Sequence, residues 1–117
     1  MRNTIEGANM YDNKWEKGVK FGVQLQTAGA DVTMDEDAAF IQVLTLTGAG
    51  RKLLLPAASV QRKGLTFLVL NTSASALDIT VRDSGDTTTF GTISQNEGAL
   101  ITCTGATWIT TLVGTST

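Results

Sequence analysis

The side chains best supplied for chemistry in this chain are carboxylates, and they sit in two groups. Asp31, Asp35, Glu36 and Asp37 form one, and Asp83 and Asp86 flank Ser84-Gly85 in the other. Oxygen ligands of this kind suit a hard cation such as calcium. Neither group has the alternating oxygen ligands, glycine and terminal glutamate of a calcium loop, so a solvated loop and a turn are expected, and no metal or cofactor is assigned. The chain has no histidine. Without it there is no Ser-His-Asp or Cys-His arrangement and no ordinary zinc site. Gly48-Ala49-Gly50-Arg51-Lys52 has neither phosphate-loop spacing nor a following helix, because Leu53-Leu54-Leu55-Pro56 reads as a strand. Cys103 lies in an apolar run with no cation beside it and reads as a buried thiol rather than a nucleophile. An enzyme is not expected.

Binding side chains are better represented. Trp108 stands in an apolar run with Ile109, Leu112 and Val113, where it suits a core, a subunit interface or a sugar-stacking platform. Trp15 stands among polar residues with no core of its own, which makes it a candidate anchor into a partner. The basic pairs Arg51-Lys52 and Arg62-Lys63 flank Pro56. If the chain folds back there, they could form one positive patch facing an acidic partner. Otherwise they keep strand ends soluble and block edge pairing.

The elements that must position these residues are strands. From residue 18 onward the chain is rich in Thr, Val, Ile and Leu, with Gly, Asn, Asp and Ser between apolar runs. Strands are expected over residues 20–26, 40–47, 51–55, 65–70, 77–82, 88–94, 99–104 and 107–113. In the first, Phe21, Val23 and Leu25 are apolar while Lys20, Gln24 and Gln26 are polar. Residues 65–70 are apolar on both faces except at Thr66, as for a strand inside a sandwich or against a neighbouring subunit. Leu77, Ile79 and Val81 alternate with Asp78, Thr80 and Arg82, so one face is buried and the other wet. Residues 83–86 and 96–98 should turn, and Gly105-Ala106 should close a terminal hairpin. Short helical turns could form over residues 34–40 and 57–60. About eight strands at intervals of roughly 8 to 12 residues give an all-β domain, a single β-sandwich or jelly-roll-like fold.

Residues 1–17 differ: charged and polar side chains with Met10, Tyr11 and Trp15 among them and no sustained period. They read as an N-terminal arm preceding a β domain over 18–117. Nine Lys or Arg against eleven Asp or Glu leave a net charge of −2, which does not suggest nucleic-acid binding. One cysteine cannot form an internal disulfide. No run of about 18 apolar residues is present, so no helical membrane span is expected. The start lacks the apolar stretch of a signal peptide. A chain of 117 residues supports only a modest core, which oligomerisation would supplement.

Two stretches carry a family resemblance. Arg51-Lys52-Leu53-Leu54-Leu55-Pro56-Ala57-Ala58-Ser59 is followed by Lys63-Gly64-Leu65-Thr66-Phe67-Leu68-Val69-Leu70-Asn71-Thr72. With Leu77-Asp78-Ile79-Thr80-Val81 and Gly105-Ala106-Thr107-Trp108-Ile109, this order resembles a module of tailed-bacteriophage structural proteins, among them capsid decoration (cement) proteins, head fibres and parts of tail fibres. The resemblance spans residues 45–113 and leaves out residues 1–40. It implies a β-sandwich knob, commonly trimeric, made in the host cytoplasm and carried on the outer capsid surface of the virion. Such a protein would bridge neighbouring major capsid proteins near three-fold positions. Met10, Tyr11, Lys14, Trp15, Lys17, Arg51, Lys52, Arg62 and Lys63 would then meet the capsid. Leu65, Phe67, Leu68, Val69, Leu70, Trp108, Ile109 and Leu112 would form the core and the trimer seam. The alternative is a head- or tail-associated adhesion module that binds a host-surface glycan through Trp108 or a threonine-rich face.

Overall fold

A computed structural model describes residues 19–115. The arm expected over residues 1–17, with Met10, Tyr11, Lys14, Trp15 and Lys17, lies outside the described residues. Nine strands follow: β1 (Val23–Ala28), β2 (Val32–Thr33), β3 (Ile41–Leu46), β4 (Arg51–Leu54), β5 (Thr66–Asn71), β6 (Ile79–Arg82), β7 (Thr89–Ile93), β8 (Glu97–Cys103) and β9 (Trp108–Thr115). They make two sheets, one of five strands in the order β9-β8-β5-β3-β1 and one of four in the order β2-β4-β6-β7. The all-β, two-sheet domain expected from the sequence is the fold observed.

All eight expected strands are present, and their connectivity is coiled. The chain passes from one sheet to the other and back, and each return lies parallel beside the previous one. In the five-stranded sheet β1 pairs parallel with β3, and β3 with β5. In the other, β2 pairs parallel with β4, and β4 with β6. Parallel neighbours need a long crossover, commonly a helix; here each crossover is a strand of the opposite sheet. The coil ends when β7 turns back antiparallel on β6, and β8 and β9 add antiparallel to β5 and to each other.

The core lies between the sheets. Leu44, Phe67, Val69 and Ile101 from one side meet Leu53, Ile79, Val81 and Ile93 from the other, all fully or almost fully buried. Burying a side chain of this size contributes roughly 1.5–3 kcal/mol. Two buried polar residues tie the layers together. Asn71 Nδ2 donates to the carbonyls of Leu77 and Ile93 at 2.9 and 3.0 Å, and its Oδ1 accepts from the Ser73 hydroxyl at 2.6 Å. Ser73 Oγ accepts from the Leu46 amide at 2.9 Å. Every polar atom named here has a partner, as burial requires.

Several local features differ from the sequence expectation. β2 is a two-residue strand held beside β4 and has no alternating run of its own. Residues 34–40 hold only a turn, closed by the Ala38 amide on the Asp35 carbonyl at 3.2 Å. The single helical turn among the described residues is 3-10 and lies at Val60–Arg62, later than residues 57–60. The turn expected at 96–98 is centred on Gln95 and Asn96, where Asn96 takes φ 63°, and Glu97 already belongs to β8. The Gly105 hairpin forms as expected, with Gly105 at φ 100°.

Candidate functional site: the outer face of the five-stranded sheet

The five-stranded sheet has two apolar faces. Side chains of paired residues point to the same side, so the register reads out the outer rows directly. One row runs Val23, Ile41, Leu68, Leu100. The next runs Leu25, Val43, Leu70 and then Gly98 and Gly114. The remaining outward positions are Thr27, Thr45, Thr66, Thr102, Ile109 and Thr111, with Val113 at a bulge in β9. No charged side chain points outward from these five strands.

β1 makes the point most sharply. Its apolar side chains, Val23 and Leu25, are 55% and 76% exposed. Its polar alternates, Gln24 and Gln26, point to the side on which the core lies, since Gln26 stands in register with buried Leu44 and bonds to buried Gln42. A two-sided strand beside water places its apolar set inward. In β1 that set faces outward, as if the outer face were a second core. Phe21, just before β1 and 56% exposed, lies against Phe40 with ring centroids 4.8 Å apart.

At the opposite edge a shallow concavity lies beside the same face, at the strand ends near Gly114. Gly98 and Gly114 are register partners and present no side chain. A Cβ at Gly98 would lie 2.7 Å from Leu70 Cδ2 and 3.3 Å from Val113 Cγ2, so these neighbours fill the space over Gly98, while a Cβ at Gly114 would meet nothing within 4 Å. The concavity, about 390 Å³, is lined by Leu70, Thr72, Glu97, Gly98, Val113 and Gly114 together with Asn71 and Asn96. Glu97 stands at its margin with Oε1 accepting from the Ser94 amide at 2.7 Å.

The outer face of the four-stranded sheet is different in kind. There Lys52 Nζ meets Asp86 Oδ2 at 2.7 Å, and Arg82 pairs with the same carboxylate. The Lys52 hydrogen bond, with Arg82 behind it, holds the Asp86 carboxyl below its ordinary range. Thr33, Thr80, Thr89 and Thr92 share this face, with half-buried Leu54 among them. This face is built for water.

The other sequence-predicted residues fall as follows. Phe67, Val69 and Trp108 are core; Leu65 packs against the core half-buried; Leu68 and Leu70 face outward half-buried; Ile109 and Leu112 are each 52% exposed. Trp108 stacks on Phe67 at 6.3 Å, and its indole N–H donates to the Pro56 carbonyl at 2.9 Å. Only 3% of it is exposed, so it offers no ring to a sugar. The basic pairs are engaged locally: Arg62 with Glu36 at 2.9 Å and Lys52 with Asp86, while the Arg51 side chain lies over Gly48 and the Lys63 stem lies along Gly105. The acidic groups serve the backbone. Asp31 accepts from the Lys52 amide, Asp35 from that of Asp37, and Asp83 from those of Thr87 and Thr88. Among the described residues no cluster of three or more His, Cys, Asp or Glu is placed to hold a metal. Cys103 is buried and free.

Sequence reasoning named Leu68, Leu70 and Ile109 in this face and missed Val23, Leu25, Ile41, Val43 and Leu100. Their signal was the alternation itself, which marks two faces without saying which is inside. No family model matches the chain, and no curated protein or solved structure matches it either.

Proposed function

We propose that this chain is a bacteriophage capsid decoration protein, a homotrimeric β knob that binds the outer capsid surface and bridges neighbouring major capsid proteins. The observation that carries the reading is the uncharged apolar outer face of the five-stranded sheet. Such a face marks an assembly component, because exposed contiguous apolar patches occur at association sites. The resemblance of residues 45–113 to the phage structural module supplies the kind of assembly. Its parts fall on β4, the Val60–Arg62 turn, β5, β6 and the β8–β9 hairpin.

The work of such a protein is mechanical. Linking three copies raises the effective concentration of each capsid contact, so modest patches give tight attachment against the outward pressure of packaged DNA. Met10, Tyr11 and Trp15 would anchor the arm and Lys14 and Lys17 would add charge contacts. Trp108 is committed to the core, which leaves the adhesion alternative only a threonine-rich face.

Undecorated capsids mixed with the full chain and with a chain lacking residues 1–17 provide the test. Saturable occupancy of the shell by the full chain, reduced at least ten-fold by the deletion, is expected. Absence of shell binding together with retention on a glycan array would overturn the proposal in favour of adhesion.

A further inference from the structure

We infer that the outer face of the five-stranded sheet, with Leu25 exposed at its β1 edge, is the surface on which copies of this chain meet. The inference deepens the trimer reading and rests on it only for the number of copies. Two observations favour a second copy over a different partner.

The first is charge. Every outward side chain of the five strands is Val, Leu, Ile or Thr or is replaced by Gly. A face that meets itself brings any charge near its own image, where like charges repel. A face without charge avoids this, whereas a face shaped for a different partner gains register from complementary charges. The wet sheet on the far side, with Lys52, Arg82 and Asp86, shows that the chain does place charges on an outer face elsewhere.

The second is area. Five strands about 4.8 Å apart and about six residues long cover on the order of 500 Å² in projection. The accessible surface of a face covered with side chains exceeds its projection, and a standard interface takes about 800 Å² from each partner. With Phe21 beside it, the face is of the size an interface needs.

Sedimentation velocity on the full chain and three variants tests this. Leu25→Lys alters a side chain already exposed in the single copy, so it leaves the fold intact. Leu68→Lys strikes the centre of the face, and its circular dichroism reports whether the fold survives. Thr92→Lys alters the wet sheet as a control. The full chain and Thr92→Lys should sediment as one assembly, while Leu25→Lys dissociates at least ten-fold more readily and Leu68→Lys runs as a folded monomer. Assembly unchanged in both leucine variants would overturn the interface and leave the trimer reading standing. A full chain that is monomeric and exposes Leu68 only after removal of residues 1–17 would also overturn it, in favour of the chain's own arm as the occupant. Loss of capsid occupancy with assembly intact would strike the decoration reading alone.

Discussion

Gln26 Nε2 donates to Gln42 Oε1 at 3.1 Å across the parallel β1–β3 pair, and Gln42 Nε2 in turn donates to the Ala39 carbonyl at 2.8 Å. Gln42 is fully buried, so this short chain of amides satisfies a polar group inside the domain. It also holds β1 in the register that turns Val23 and Leu25 outward. The same contact therefore stabilises the edge of the sheet and builds the apolar face.

Gln26→Ala leaves the Gln42 carbonyl without its protein partner. Because Gln26 is only half-buried, water offsets part of the loss, and a destabilisation of about 1 kcal/mol is expected. Gln24→Ala, at the exposed neighbour, should change stability by less than about 0.5 kcal/mol. Urea unfolding of the two variants checks the difference; equal midpoints would show that the amide chain contributes nothing.

Trp108 gives a sharper separation of two effects. Trp108→Phe keeps an aromatic ring against Phe67 but removes the donor to the Pro56 carbonyl, at a cost of about 1 kcal/mol plus the smaller ring's lost packing. Trp108→Ala opens a cavity and should cost about 3–5 kcal/mol. Thermal and urea unfolding read both. A Trp108→Ala variant as stable as the parent would contradict a core role.

Asp83 should contribute, beside Asp86, to the acid limb of stability. The Thr88 amide first, then the Thr87 hydroxyl and amide, bind its carboxylate and lower its pKa from 3.8 to about 2. A group whose folded pKa is depressed stabilises the fold above its unfolded pKa and loses that contribution as the folded carboxylate protonates. The contribution should be present above about pH 4 and fade as pH falls towards 2. Asp83→Asn should flatten that part of a melting-temperature profile while leaving Thr92→Lys, as a surface control, parallel to the parent. An unaltered acid limb in Asp83→Asn would remove this assignment.

The strands were legible because their local pattern is strong. Residues 77–82 alternate cleanly, and Ile79 and Val81 are inside as that pattern implies. Residues 65–70 carry apolar side chains on both faces, and β5 is the central strand of its sheet. The pairing was not legible, since it is set between distant residues: Val23 lies beside Ile41, and Ile41 beside Leu68, in coils of unequal length. Unequal coils leave no fixed period in the sequence. β2 escaped notice because Val32 and Thr33 become a strand only through their register with Leu53 and Leu54. The outward turn of Val23 and Leu25 escaped for a related reason. Period-two alternation gives two faces, and the register with the next coil, which buries Ala28 beside Leu46 and joins Gln26 to Gln42, decides which one points inward.

Native mass spectrometry of the full chain at micromolar concentration tests the central claim most directly. An apolar sheet face that joins copies into a trimer predicts a dominant species of three times the 12.3 kDa chain mass. A dominant species of 12.3 kDa across that range would contradict it.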